Sequence, residues 1–287
     1  MKKLIVTADD FGLSLAVNQA VEQAFNEGIL TTTSLMAGAS QVQDAVDRAR
    51  RNPGLKVGLH VVVARGRPVL PVDEVPDLVD ADGRFSNDLF QSGVRIFFLP
   101  RVRQQLEKEI EAQFEAFHAF GLTLDHVNAH NHMHLHPTVF GLILKVGRKY
   151  GVRSLRIPYE PLLPVWRSGA ESILQRIFMT LFLGPWVTLL RSRIKRAGLN
   201  CNDYIFGLFD TGRMDKERVL KMLPCLPEGV SELYFHPAVA DLPGDRPLMG
   251  TSCATELETL LSAKVRSLLE SLQINLISFS DIVLEQS

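Results

Sequence analysis

Apolar and polar positions follow two alternating patterns along the chain. Short apolar runs, typical of buried strands, occur at residues 4–7, 34–37, 57–61, 124–129, 154–157, 204–206, 231–235 and 275–278. Apolar residues spaced three or four apart, typical of amphipathic helices, occur at residues 15–27, 41–51, 101–120 and 138–150. A long loop is predicted between residues 61 and 101. This order predicts an α/β fold with a largely parallel sheet, a distorted or incomplete (β/α) barrel in one domain over residues 1–287.

An apolar insertion at about residues 161–200 departs from this pattern. Residues 177–190 carry no charge, and a basic segment, residues 191–196, follows directly. This run of 14 residues is shorter than the ~20 that a spanning helix needs, and Gly184 and Pro185 are expected to break or kink it. Two interpretations remain. The segment is either a buried core helix pair or an apolar lid, with Phe182 and Trp186, that contacts a lipid-like substrate or a membrane surface.

The composition limits the class of protein to which this chain can belong. Hydrophobic residues make up 46% of the chain and the formal net charge is -1, so the chain can form a large core but has no basic excess for nucleic acid. The three cysteines are widely spaced, which argues against a disulfide framework or a structural zinc cluster. The first residues lead into a strand pattern rather than a signal peptide, so we expect a cytoplasmic protein.

A tract at residues 125–137 contains five of the eight histidines. If it forms a strand, its period of two places His130, His132, His134 and His136 on one face. Imidazole is a common ligand of transition metals, so the tract favours a metal site. The alternative is a ladder of solvated or stacked histidines that captures metal adventitiously.

Four predicted strand ends carry polar side chains of the same kind. Asp9 and Asp10 follow the first apolar run, His60 lies near the end of the third, His130 follows the run at 124–129, and His236 follows the run at 231–235. Adjacent carboxylates that leave a strand point in different directions, so one can be a ligand and the other a base. A simple turn, or a helix cap at Asp10, is the alternative, but Ser14 is the better cap for the helix at 15–27.

Five motifs, taken in order, resemble those of the YdjC-type carbohydrate deacetylases. They are residues 7–12, 58–60, 126–134, 155–158 and 235–237. This family comprises metal-dependent enzymes with a distorted (β/α) barrel that remove N-acetyl groups from amino sugars. The resemblance implies that Asp10, His60 and His130 are metal ligands. It also implies that Asp9 is the catalytic base, His236 the catalytic acid, and Arg156 a charge-tuning group beside the site.

The chain departs from the family pattern at residues 128–129. The family commonly has Asp-Ser before the ligand histidine, whereas this chain has Asn128 and Ala129. His136 is an addition to the usual histidines. His132 and His134 are candidates for supporting, substrate-contacting or alternative ligand roles.

The insertion and residues 202–207 look like the hopanoid-biosynthesis branch of the family. That resemblance implies an N-acetylglucosaminyl lipid as substrate, contacts from Phe182 and Trp186, and peripheral contact with the inner membrane. Two imidazoles and one carboxylate favour one Zn²⁺ ion, with Mg²⁺ as the alternative. Three other functions stay open: deacetylation of soluble N-acetylglucosamine oligosaccharides, hydrolysis of a phosphoester or cyclic amide, and non-catalytic metal or glycan binding.

Overall fold

The computed structural model describes residues 1–169, 173–240 and 252–282. Its strands, β1 to β7, are Lys2–Phe11, Thr32–Leu35, Lys56–Val61, Leu124–Ala129, Tyr204–Phe206, Gly229–Phe235 and Asn275–Leu276. They pair in parallel in the order β4-β3-β2-β1-β6-β5, and β7 pairs with the start of β1. The sheet curls into an incomplete barrel, which confirms the predicted fold class.

The helices of the described residues, α1 to α10, lie outside this sheet. They are Leu15–Glu27, Val42–Arg51, Leu89–Phe98, Pro100–Ala119, Pro137–Gly147, Leu162–Arg167, Ile173–Arg196, Lys216–Met222, Cys253–Leu260 and Ala263–Ser271. Ser14 caps α1 as predicted, since its side chain accepts a hydrogen bond from the backbone N–H of Val17. The main core lies between the sheet and the helices, and its buried residues extend from Leu4 in β1 to Ile274, just after α10.

Two sequence predictions about helices are wrong. The predicted loop between residues 61 and 101 contains α3, which begins where the Asp88 side chain accepts from the backbone N–H of Gln91. Gly184 and Pro185 do not break the insertion, because α7 continues through both as one helix of 24 residues. Pro185 has no backbone N–H, so one helical hydrogen bond is missing there.

The predicted strand at 154–157 is replaced by isolated bridges. Leu155 bridges Val127 of β4, and Ser154 bridges Asn200. The backbone N–H of Arg156 donates to the carbonyl of Val127 at 3.1 Å, and Ile205 of β5 donates to the carbonyl of Tyr159 at 2.9 Å. This segment therefore links the two edge strands of the open sheet and carries Arg156 into the barrel.

Candidate active site

Three side chains at the carboxyl ends of β1, β3 and β4 meet in a compact triangle. Asp10 Oδ1 lies 3.2 Å from His60 Nε2 and 3.0 Å from His130 Nδ1, and the two histidine nitrogens are 3.2 Å apart. Ligand atoms about 2.0 to 2.2 Å from one divalent ion are separated by roughly 2.8 to 3.6 Å, depending on whether the geometry is octahedral or tetrahedral. The predicted set Asp10, His60 and His130 could therefore hold one metal ion.

A local irregularity of β1 aims its two carboxylates differently. Asp10 adopts a left-handed conformation with φ of 65°, and the register between β1 and β2 shifts between Ala8 and Phe11. A left-handed residue other than glycine is uncommon and is retained where surrounding contacts hold it. The bulge turns Asp10 toward the two histidines, whereas Asp9 points into the buried interior of the barrel.

Asn128 supplies the hydrogen bond that orients His60. Its Oδ1 lies 2.7 Å from His60 Nδ1, and its Nδ2 donates to Asp9 Oδ1 at 3.0 Å. An acceptor at Nδ1 favours the His60 tautomer with an unprotonated Nε2, the nitrogen that faces Asp10. The departure from the family pattern at Asn128 therefore preserves the acceptor, because an amide oxygen takes the place of a carboxylate oxygen.

Asp9 is held by four hydrogen bonds. One comes from Asn128, and Ser34 donates another to Oδ1 at 2.7 Å. Arg156 donates the other two, to Oδ2 at 2.6 Å and to Oδ1 at 3.0 Å. Burial by itself would raise the pKa of Asp9, but the Arg156 guanidinium and the nearby His60 hold it far below its usual range. The carboxylate therefore stays ionised.

Arg156 lies between two buried carboxylates. It is fully buried and also donates from Nε and Nη2 to Glu232, whose Oε1 accepts a further bond from Thr7 at 2.6 Å. Its pKa is raised because the two carboxylates outweigh the effect of burial. Because Arg156 is fully buried, it is not part of a surface ion pair. It contacts Asp9 directly, and its role as a charge-tuning group stays a prediction.

Two neighbouring cavities that share lining residues open beside the triangle. The larger, of about 550 Å³, is lined by Asp9, His60 and His236 among others, and the smaller, of about 160 Å³, by Asp10 and His236. His130 also lines both. The structure therefore brings His236 to the same cleft as the metal-ligand candidates, as predicted from its position after β6.

Tyr234 lies in the wall of this cleft, between Arg156 and His236. Its ring lies 5.2 Å from the Arg156 guanidinium and 5.6 Å from the His236 ring. Its hydroxyl lies 2.6 Å from Thr211 Oγ1 and 3.3 Å from His132 Nε2. Burial raises the pKa of Tyr234, so the hydroxyl stays protonated.

The condition for placing His130, His132, His134 and His136 on one face, a strand through these residues, is not met. β4 ends at Ala129, and residues 130–135 form a short 3₁₀ segment in which Asn131 and His132 have φ of 51° and 54°. The tight turn sends successive rings in different directions. His132 lines the larger cavity, whereas His136 packs against Phe97 of α3 at a ring distance of 6.1 Å.

His132 and His134 are both held neutral. Burial and then the Arg156 charge lower the pKa of His132 to about 3. Burial and then His132 lower the pKa of His134 well below its usual value. Neither ring nitrogen of His134 has a hydrogen-bond partner among the described residues. His132 therefore faces the cleft as a neutral polar group, while His134 lies beneath it.

The two aromatic residues predicted to contact substrate have different surroundings. Phe182 is 70% exposed, whereas Trp186 is partly buried and donates from Nε1 to the carbonyl of Leu135 at 2.8 Å. Within the described part of the chain, neither residue lines the two cavities. Trp186 therefore anchors α7 to the 3₁₀ segment at residues 130–135, the histidine turn. Phe182 lies on the outer surface of the same helix.

Three residues of the site escape the sequence analysis. Ser34 contacts Asp9, Glu232 pairs with Arg156, and Tyr234 lies between Arg156 and His236. Glu232 and Tyr234 share a strand face with His236, since successive even positions of β6 point the same way. A charged residue inside the apolar run at 231–235 is the signal that could have identified Glu232.

Comparison with known proteins gives a consistent result. A family model described as YdjC-like protein matches residues 3–271. A carbohydrate deacetylase of Brevibacillus brevis is 30% identical over 284 residues, which cover 98% of this chain and 99% of that protein. A carbohydrate deacetylase of Geobacillus stearothermophilus is 30% identical over 240 residues, or 83% and 80% of the two chains. The crystal structure of an Enterococcus faecalis protein is 26% identical, has a TM-score of 0.74 and covers 99% of both chains.

Proposed function

The chain belongs to the YdjC-like family, and we propose that it is a metal-dependent carbohydrate deacetylase that removes the N-acetyl group from an amino sugar carried on a lipid. The observation that supports the chemistry is the triangle of Asp10, His60 and His130 beside a cleft lined by Asp9 and His236. An acid, a base and an electrophilic centre at one cleft are what amide hydrolysis requires.

The ligand set suits Zn²⁺, with Mg²⁺ as the alternative, because two imidazoles and one carboxylate are borderline donors. A divalent ion held there would polarise the acetamide carbonyl and acidify a water molecule. Residues of the chain hold the ligand side chains of this site in position. Asn128 fixes the His60 tautomer, and the strained backbone at Asp10 keeps its carboxylate directed at both histidines.

Asp9 is proposed as the general base. Arg156 keeps it ionised, and among the described residues its Oδ2 accepts a hydrogen bond only from Arg156. That oxygen has a remaining lone pair with which to accept a proton from the attacking water. The low pKa of the carboxylate reduces its driving force as a base, so its position rather than its strength must supply the benefit.

His236 is proposed as the general acid. It lines both cavities, stands at the end of β6, and its backbone N–H donates to Glu256 Oε2 at 2.5 Å, which fixes the start of the loop. An amide nitrogen leaves poorly until it is protonated. A protonated His236 would therefore donate to the departing amine of the sugar.

The lipid-linked substrate is supported by the surface of α7. Phe178 and Phe182 of α7 are each about two-thirds exposed, and Arg176 of the same helix lines the larger cavity. An apolar tail leaving the cleft across this helix would cover side chains that otherwise face water. An N-acetylglucosaminyl hopanoid is the proposed substrate, and an enzyme for it works at a membrane surface.

Acetate release from substrates that differ only in their apolar part tests the proposal. Alkyl N-acetylglucosaminides of increasing chain length, kept below their micelle concentrations, should show kcat/KM rising about fourfold per methylene buried, since each contributes ~0.8 kcal/mol. Equal kcat/KM for every chain length and for chitooligosaccharides would support the soluble-sugar alternative. Phosphate release without acetate release would support a phosphoesterase, and metal binding without either product would support a binding protein.

A further inference from the structure

The outer face of α7 is an exposed apolar stripe. Its side chains recur three or four positions apart, at Leu174, Phe178, Leu181, Phe182, Pro185 and Leu189. The opposite face is fixed to the barrel, because Val187, Leu190 and Ile194 belong to the main core. Of the described chain, Arg176–Arg196 is long and apolar enough to cross a bilayer by length and composition, but this inner packing ties it to the domain. The stripe is therefore a surface rather than a span.

Helix α3 carries a second exposed apolar face. Phe90 is 83% exposed and Phe98 is 68% exposed, and Val94, Phe97 and Leu99 are also exposed. Only Ile96 of this helix is buried. An amphipathic helix of a globular domain normally buries its apolar stripe against the core. Helices α3 and α7 instead expose theirs to solvent, which is unusual for a protein surrounded only by water.

The two helices flank one turn at the mouth of the cleft. Phe97 of α3 contacts the ring of His136, while Trp186 of α7 donates to the carbonyl of the preceding residue, Leu135. Leu89 at the start of α3 and Arg176 near the start of α7 both line the larger cavity. The exposed apolar surface therefore adjoins the entrance to the candidate active site.

The charged residues within helices α3, α6 and α7 are all basic. Helices α3, α6 and α7 contain no aspartate or glutamate, but seven Lys and Arg, one in α3, one in α6 and five in α7. The chain as a whole has a net charge of -1, so this excess is local. Arg176 is buried against Glu160 and Asp210, whereas Lys195 and Arg196 are exposed. An apolar face beside acid-free basic helices is complementary to an anionic bilayer surface.

We propose that α3 and α7 form a membrane-docking surface that seats the mouth of the cleft on an anionic bilayer. Phe90, Phe98, Phe178 and Phe182 enter the boundary between headgroups and acyl chains, and the exposed Lys195 and Arg196 of α7 contact lipid phosphates. Docking does not depend on the proposed catalytic activity. Its consequence for lipid-linked substrates rests on that proposed function, because a docked cleft receives a sugar headgroup without extracting the lipid from the bilayer.

Vesicle flotation with the full chain tests the surface. Vesicles of phosphatidylglycerol and phosphatidylcholine in equal parts should carry the protein, and vesicles of phosphatidylcholine alone should carry much less. The double variants Phe178→Ser, Phe182→Ser and Phe90→Ser, Phe98→Ser should each weaken partitioning by at least about tenfold, since a buried phenylalanine contributes more than that. Added salt should weaken it further by screening the basic residues.

The matched control is the double variant Val72→Ser, Leu276→Ser, which removes exposed apolar side chains away from α3 and α7 and should bind vesicles as the wild type does. His60→Ala should also bind vesicles normally while releasing no acetate, so failure of the catalytic proposal leaves docking standing. Unchanged partitioning of both phenylalanine variants would overturn the proposal. A dimer of wild type in sedimentation that these variants convert to monomer, without vesicle binding, would overturn it in favour of a second copy of the chain.

Discussion

The two ends of the cleft are stabilised in opposite ways. Around Asp9, every oxygen of a buried carboxylate has a partner, and Arg156 joins it to Glu232 inside the barrel. Phe178 and Phe182 face water on the outer face of α7, the helix whose Arg176 lines the larger cavity. The buried end is fixed by directional bonds before any ligand arrives, whereas the exposed end lacks the contacts that would cover it.

This difference separates two kinds of contribution to function. Hydrogen bonds and buried charges fix the positions of groups that act on protons or ligate an ion, and they cost stability when broken. Exposed apolar surface contributes nothing to the fold and gains free energy only when something covers it. Substitutions at the buried end should therefore change metal content, stability and turnover, and substitutions at the exposed end only binding to apolar partners.

The largest effect should follow removal of one proposed ligand. In His60→Ala, two side chains remain to hold the ion, so metal content after dialysis should fall from about one per chain to less than about a tenth, and acetate release should fall about a thousandfold or more. His118→Ala, an exposed histidine on α4, is the control and should keep both. Full metal content in His60→Ala would remove this histidine from the ligand set.

Arg156→Met should come next, because it leaves Asp9 and Glu232 buried without their cation. Loss of one partner from a buried ion pair costs about 3 to 5 kcal/mol, measurable by urea unfolding. In the wild type Arg156 holds the pKa of Asp9 low, so without it burial raises that pKa. A base must be deprotonated, and the acidic limb of kcat/KM should therefore move to higher pH.

Arg156→Lys is the companion variant for that experiment. It keeps the buried charge but cannot donate to Asp9 and Glu232 in the same forked geometry. Its loss of stability should be smaller and its acidic limb should shift less than in Arg156→Met. An identical pH profile in wild type and both variants would show that Asp9 is not the group whose ionisation limits the reaction.

Asn128 offers a smaller and more specific change. Asn128→Ala removes the acceptor at His60 Nδ1, and loss of such an orienting partner typically lowers metal affinity about 10- to 100-fold. Asn128→Asp keeps an acceptor but replaces the amide that donates to Asp9 with a second carboxylate. Titration with Zn²⁺ should therefore rank wild type first, Asn128→Asp second and Asn128→Ala last. Equal affinity in all three would contradict the orienting role.

The smallest effects separate two aromatic residues of one helix. Trp186→Ser loses packing and the bond to Leu135, so unfolding free energy should fall by about 2 kcal/mol or more. Phe182→Ser changes an exposed side chain, and its unfolding free energy should stay within about 0.5 kcal/mol of the wild type. A comparable loss in both variants would mean that the outer face of α7 is packed in solution.

The sequence predicts the buried end of the cleft well because its residues stand at strand ends. Parallel strands bring their carboxyl ends to one edge, so Asp10, His60 and His130 meet once the strand order is known. Helix α1 and strands β4 and β5 have the predicted bounds. The bulge that separates Asp9 from Asp10 is not predicted, since it depends on pairing with β2.

The histidine turn and the insertion show where pattern alone fails. A period of two in His130, His132 and His134 fits a strand, but the left-handed backbone at Asn131 and His132 is set by tertiary contacts. An uncharged run such as residues 177–190 has the same composition whether it is buried or exposed. In the structure Leu190 is buried and Phe182 is exposed, so the core interpretation holds for the inner face of the helix only, and contact of the outer face with a lipid stays a prediction.

The central claim is that Asp10, His60 and His130 hold one catalytic ion. The most direct test is a crystal of the zinc-loaded protein, with anomalous difference maps calculated from data on either side of the zinc edge. The account predicts one strong peak per chain, bonded to Asp10 Oδ1, His60 Nε2 and His130 Nδ1, with Asp9 still paired to Arg156. A peak held instead by His132, His134 or His136, or several weak peaks along residues 125–137, would contradict it.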